Sequence, residues 1–205
     1  MAQLLRREAQ DFNVVLDMHA QRDFGFSKLA RPFDVGFGNL VTHQEDLSVL
    51  PLAASRLVIA VLPTHRFSSR ISLAPADLAG EPMIALSRDT IIGTIVNKAL
   101  GNGGLHIAAE VSHTYLALRM VRDGLGLHVT DRLAALDAAK AGLVLIPLEE
   151  GPSVAFMAFW PKQASGSPER IRKAIAAVAE TLQGNDTQIE EEALAFLAGE
   201  SFQSC

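Results

Sequence analysis

Apolar and polar positions alternate along this chain in short blocks whose period keeps changing. Leu4 and Leu5 among charges predict a short N-terminal helix, and Phe12 to Met18, with β-branched Val14 and Val15, predicts a strand. Phe24 to Leu29 makes a helical turn that Pro32 ends, and Asp34 to Phe37 is a short strand followed by a turn at Gly38-Asn39. Two apolar runs come next in quick succession, Leu47 to Leu52 and Arg56 to Leu62, and they read as long crossing strands. Ser68 to Pro75 is a polar connection. Met83 to Leu86 is a covered strand, and Ile91, Ile92, Ile95, Val96, Ala99 and Leu100 then fall at helical spacing until Gly101 to Gly104 stop the helix.

The second half repeats the alternation. Leu105 to Val111 predicts a strand, Ser112 caps a helix from His113 to Arg122 with Leu116 and Met120 on its apolar face, and Gly124 closes it. Leu125 to Val129 is a strand, and Thr130 or Asp131 caps a helix running through Leu136. Leu143 to Ile146 and Val154 to Trp160 complete the strands. Pro168 starts a helix with Ile171, Ile175, Val178 and Leu182 on one face, and the stretch after Gly184 predicts a loose acidic helix. Repeated strand–helix alternation predicts an α/β fold with parallel strands, and the segments near 40–60 and 125–130 are hinge candidates.

Within this pattern the stretch Asp77 to Asn97, DLAGEPMIALSRDTIIGTIVN, carries the most chemistry. A buried strand runs into the polar loop Ser87, Arg88, Asp89 and Thr90, and the loop runs into a helix start. Unsatisfied N–H groups and the helix dipole let such a start hold a small anion. Its place at the carboxyl end of a strand is where open α/β sheets bind ligands, so the stretch points to small-molecule sensing. Ser87, Asp89 and Thr90 read equally as helix caps, and Arg88 equally as a solvated charge; capping and binding use the same helix end.

Composition narrows the classes. Of 205 residues, 49% are hydrophobic and 20% charged, an ordinary globular balance. The net charge is −5 from 18 basic and 23 acidic residues, which gives no global attraction for nucleic acid. Asp186, Glu190, Glu191, Glu192 and Glu200 carry the whole excess, so the chain before Gly184 is neutral. The single cysteine, Cys205, excludes an intramolecular disulfide and fits a reducing cytoplasm. The start MAQLLRREAQDF has no apolar core of a secretory signal, and the run around Leu57 to Leu62 is too short to span a bilayer. His19, His43, His65, His106, His113 and His128 form no metal-ligand spacing, no G-x-S-x-G occurs, and Gly101 to Gly104 follow a helix rather than precede one, so no metal site, nucleophile, cofactor or phosphate loop is expected.

The order of these segments resembles the effector-binding domain of LysR-type transcriptional regulators, which has the type II periplasmic binding protein fold. FDVGFGN (Phe33 to Asn39), LSVLPLAASRLVIAVLPTHRF (Leu47 to Phe67), ISLAPADLAGEPMIAL (Ile71 to Leu86) and LRMVRDGLGLHVTDRLA (Leu118 to Ala134) carry the resemblance, which extends over Phe12 to Leu182. Two departures stand out: Arg66 follows His65, and the family's "L-P" near Val129-Thr130 is absent.

The resemblance implies an α/β, two-lobe fold whose first lobe here lacks its first strand. It places a partial first lobe in residues 1–50 with return elements near 131–183, hinge strands and the second lobe in 51–130, and an acidic tail in 184–205. It implies a cytoplasmic, non-enzymatic sensor, a homodimer or other homo-oligomer, that binds a small effector such as an organic acid between the lobes. DNA would be reached only through a helix-turn-helix domain that this chain does not contain, and no membrane is involved. By position the effector contacts are Ser87, Arg88, Asp89 and Thr90, with Thr130 at the second hinge and Gly38 and Asn39 at the first; no catalytic or metal residue is implied. The competing readings are a small-substrate enzyme on the same fold, with Asp89 as its one acid–base candidate, an extracytoplasmic solute-binding protein, and a fragment that pairs with full-length regulators.

Overall fold

The computed structural model describes residues 33–39, 46–101, 105–163, 167–183 and 187–199. The expected elements at Leu4-Leu5, Phe12 to Met18 and Phe24 to Leu29 lie outside the described residues, as do Asn102 to Gly104 and Cys205. The described residues divide into two compact units, the first built from 33–39, 46–54, 155–163, 167–183 and 187–199 and the second from 55–101 and 105–154.

In the first unit, β1 (Gly36–Gly38) pairs antiparallel with β7 (Ser153–Pro161), Gly36 standing opposite Phe159 and Gly38 opposite Met157. The Phe159 ring lies over Gly36, and a Cβ there, 2.2 Å from the ring, would have to displace it. Helix α4 (Pro168–Gln183) has the predicted face: Ile171, Ile175, Val178 and Leu182 are all buried. The acidic helix expected after Gly184 is present among the described residues and packs on the unit. Helix α5 (Glu191–Ala198) forms there, Ala193 is fully buried, and the Glu190 N–H donates to Leu52 O at 2.9 Å. Phe196 stacks at 5.5 Å on Trp160.

Strand β2 (Leu47–Val61) corrects the expectation of two separate runs. Ala53, Ala54 and Ser55 contain no breaker, so the two apolar runs join into one 15-residue strand. Its burial changes along its length. Ala54 and Arg56 are exposed, whereas Leu57 to Val61 are all buried, the pattern of a strand covered on both faces.

That covered half organises the second unit. It pairs antiparallel with β5 (His128–Asp131) and with β6 (Val144–Pro147). Beside it, β3 (Pro82–Leu86) and β4 (His106–Val111) pair parallel. The parallel rule thus holds for β3 and β4, while the strands that meet β2 run against it. Helices α1 (Ile91–Leu100), α2 (Thr114–Arg122) and α3 (Leu136–Lys140) and a 3-10 turn (Pro75–Leu78) complete the unit. Leu57, Ile59 and Val61 face one core with Met83, Leu86, Ile92, Val96, Leu100 and Leu127; Val58 and Ala60 face another with Ile84, Ala117, Val121 and Ala138. The apolar face of α2 differs from expectation by one position: Ala117 and Val121 are buried, and Leu116 is 49% exposed. Small residues there let the helix approach the sheet closely.

Candidate functional site

Three strands of the second unit end on the same side. β3 and β4 are parallel, and Leu127 bridges Met83 in parallel sense just before β5 begins. Their carboxyl ends therefore bring together the loop at Ser87, the turn at Ser112 and the hydroxyl of Thr130.

The loop after β3 is tied down by its own polar groups. The Ser87 N–H donates to Val111 O at 2.9 Å, which joins the ends of β3 and β4. Thr90 is the N-cap of α1: its Oγ1 accepts from the Gly93 N–H at 3.0 Å and donates to Ser87 O at 2.7 Å. Thr94 Oγ1 donates to Arg88 O at 2.8 Å from the first turn of the helix. The capping role foreseen for this stretch falls on Thr90, which is only 4% exposed, while Ser87 is half-buried and Arg88 and Asp89 are exposed. Thr90 closes the cap and holds the loop; Ser87, Arg88 and Asp89 are the residues with surface to offer. Arg88 also lines a pocket of about 240 Å³ over the β3–β4 face, with Met83, Ala85 and Ile107 as apolar lining and Asn97 and Glu110 as polar lining.

A second helix start stands next to this loop. α2 is capped by the extended residue His113 rather than by Ser112, and no side chain caps its first amides. The Ser112 hydroxyl is engaged with His113 Nδ1 at 2.8 Å instead. Thr114, the first residue of α2, has its Oγ1 3.2 Å from Thr130 Oγ1. Thr130 is fully buried and Thr114 half-buried. Two hydroxyls carry two protons and one is used between them, so a donor remains for a further acceptor.

The buried residues of β5 complete the electrostatics. His128 is fully buried, and its Nδ1 lies 2.8 Å from Ile84 O. Burial drives its imidazole down from 6.5 to about 4, against the Ile84 hydrogen bond, so it is neutral at pH 7. Asp131 accepts from the Ala134 N–H at 2.9 Å and so holds the turn before α3; burial pushes its carboxyl up, against backbone hydrogen bonds that favour the charge. His128 Nε2 and Asp131 Oδ2 are buried atoms without a hydrogen-bond partner.

Gly38 and Asn39 belong to the first unit. Gly38 is half-buried in β1, and Asn39 is buried with its Nδ2 donating to Ala155 O at 2.9 Å. Residue by residue, Ser87, Arg88, Asp89 and Thr90 form one loop, and Thr130 joins α2 through Thr114. Gly93, Thr114 and His128 had no signal in the local pattern. Each acts on a partner that only the fold supplies. Among the described residues no group of three or more His, Cys, Asp or Glu side chains is placed to hold a metal ion, and no helix is long and apolar enough to cross a membrane.

Comparison with known proteins gives this arrangement a lineage. A family model, the LysR substrate binding domain, matches residues 2–183. The regulatory protein NocR of Agrobacterium tumefaciens (strain T37) is 27% identical over 106 residues, which are 50% of this chain and 35% of NocR. The chain thus spans about a third of that relative's length. Among solved structures, the PA01 protein of Pseudomonas aeruginosa superposes with a TM-score of 0.68 at 22% identity, covering 89% of this chain and 65% of that one. The effector binding domain of QuiR in complex with shikimate gives 0.67 at 16% identity, covering 89% and 90%. The fold is therefore the α/β, type II periplasmic-binding-protein-like fold of these regulatory domains, and the chain belongs to the LysR substrate binding domain family.

Proposed function

We propose that this chain senses a small organic acid on the carboxyl-end face of its second unit. The observation that carries the reading is the gathering of two helix starts and a spare hydroxyl proton at the ends of three strands. A carboxylate there meets the positive ends of α1 and α2, the Ser87 hydroxyl and the guanidinium of Arg88. Thr114 donates directly, while buried Thr130 supports it from behind. Thr90 keeps the loop in place, and Asp89 sets the charge limit on the ligand. The QuiR domain, solved with shikimate, is a member of the same fold that holds a small carboxylate. Gly38 and Asn39 remain proposed contacts of the first lobe, taken as 1–50 with return elements near 131–183, of which residues 131–154 pack within the second unit. Residues 51–130 are proposed as the hinges and second lobe, and 184–205 as an acidic tail.

In the whole protein the effector would shift the population between two arrangements and so alter the placement of attached DNA-binding domains in the cytoplasm. Self-association is part of the proposal. Among the described residues β4 has a strand on one side only, and His106, Ile107 and Ala108 along it are exposed. Sedimentation across a concentration series tests this; a monomer throughout removes it.

The test of the effector reading is a thermal-shift and calorimetry screen with small carboxylates and with neutral molecules of the same size. Carboxylates that stabilise wild type, and bind at least tenfold more weakly to Arg88→Ala and Ser87→Ala, support it, since about 1.4 kcal/mol is lost with one charge-assisted hydrogen bond. Binding of neutral ligands alone, or affinity indifferent to both substitutions, rejects it. Turnover of a bound compound would move the assignment to an enzyme.

A further inference from the structure

His128 stands where two sheets part. Just before it, Leu127 makes two backbone bonds to β3: its N–H donates to Pro82 O at 2.9 Å, and its carbonyl accepts from the Ile84 N–H at 2.8 Å. From His128 onward the ladder is with β2 instead, His128 opposite Ala60, Val129 opposite Ile59 and Thr130 opposite Val58. The next acceptor along the β3 edge is Ile84 O. A continued parallel ladder would bring a backbone N–H to it. Here the His128 imidazole meets it, with Nδ1 at 2.8 Å. A carbonyl only accepts, so Nδ1 carries the proton and Nε2 is left as a bare acceptor, buried and without a partner. A donor-less atom enclosed in the core is a cost that packing alone would not select; an apolar side chain would avoid it.

The position of this bond links it to the site. Ile84 is three residues before Ser87, and His128 is two before Thr130. On β5, His128 and Thr130 share a face, and Thr130 reaches Thr114 from that face. The two strands that carry the candidate contacts therefore diverge at this point.

We propose that His128 is a positioning residue: its Nδ1–H replaces the ladder rung lost where β5 leaves β3, and so sets the spacing between the Ser87–Thr90 loop and the Thr114–Thr130 pair. The proposal rests on the effector reading only for its purpose; the geometry is testable without a ligand.

The experiment uses the full chain with ¹⁵N-labelled histidine and backbone amides, as wild type, His128→Asn and His128→Leu. Asparagine places an amide N–H where Nδ1 stands; leucine places none. The wild type is expected to show His128 as the Nδ1–H tautomer. His128→Leu should move the amide resonances of Ser87 to Thr90 and of Thr114 and Thr130, leave those of α4 in place, and weaken binding of benzoate or shikimate, whichever binds wild type, about tenfold. His128→Asn should restore both resonances and affinity to within about twofold. An Nε2–H tautomer overturns the proposal. So do unmoved loop and Thr114–Thr130 resonances in His128→Leu, or an equal response of the Asn and Leu variants, which would mark His128 as core filling. Should His128→Leu fail to fold, the tautomer and the His128→Asn spectrum decide. If neither carboxylate binds wild type, the effector reading fails, while the tautomer and resonances still judge the positioning role.

Discussion

Gly93 lies in the first turn of α1, where an ordinary glycine would be replaced by alanine with profit. The gain from helix propensity is about 1 kcal/mol. At this position a Cβ would sit 2.1 Å from Ser87 O, 2.9 Å from Leu86 O and 2.7 Å from Thr90 Oγ1. Two of the three obstacles are backbone atoms, Ser87 O in the candidate loop and Leu86 O at the end of β3, which cannot swing aside as a side-chain tip can. Relieving them displaces the loop by about 1 Å, at the typical cost of overpacking, about 1–3 kcal/mol. The Thr90 cap, worth about 1 kcal/mol, is disturbed by the same movement. Against the propensity gain, Gly93→Ala should destabilise by about 2 kcal/mol and lower the melting temperature by about 4–8 °C for a chain of this size. Urea and thermal unfolding followed by far-UV circular dichroism measure this, and carboxylate affinity should fall in parallel because the loop has moved. A variant about 1 kcal/mol more stable than wild type, as at a free helical site, would show that the loop does not press on the helix and would refute the close approach.

Thr90→Val removes both the Gly93 cap and the bond to Ser87 O while keeping the shape; a loss of about 1–2 kcal/mol in urea unfolding is expected, with Thr94→Val, at an exposed hydroxyl, costing less. Stability should rise with pH through His128. Its folded value, about 4, lies below the unfolded 6.5, so its contribution is complete above 6.5 and is lost as pH falls toward 4. The full displacement is worth about 3 kcal/mol, and the difference in unfolding free energy between wild type and His128→Asn, measured from pH 4 to 7, should show that slope; a flat difference rejects it. Asp131 works in the opposite sense: its folded value is raised, so stability is present below the unfolded 3.8 and is lost as pH rises through the raised value. Asp131→Asn keeps an acceptor for the Ala134 N–H and should stabilise the protein at pH 7 relative to acid conditions, a gain that a urea midpoint at pH 4 and 7 would show or deny.

What the amino-acid pattern revealed was whatever depends on near neighbours. The Ile171–Leu182 face of α4 and the Ile91–Leu100 run of α1 follow from helical spacing, and Thr90 capping follows from the polar loop that precedes an apolar run. The face of α2 was misplaced because alanine carries little hydrophobic signal, and only the closeness of the sheet tells that Ala117 is inside and Leu116 outside. Continuity of β2 was hidden by the small residues Ala53 to Ser55, which weaken an apolar run without bending a strand. Gly93, Thr114 and His128 answer to partners 6, 16 and 44 residues away in sequence. A histidine inside an apolar strand has no local period to betray it, so its role appears only where two sheets separate.

The boundary between the units has a practical consequence. Domains ordinarily meet at exposed linkers, where few contacts cross. Here the described chain crosses between Ala54 and Ser55 and again between Val154 and Ala155, inside β2 and inside β7. Any attempt to express the second unit alone must sever two strands and leave two raw hydrogen-bonding ends, each a template for pairing with another molecule. Affinity tags, fluorescent reporters and split-protein junctions therefore belong in loops such as 150–152, and any shortened form of the chain has to keep both crossings whole.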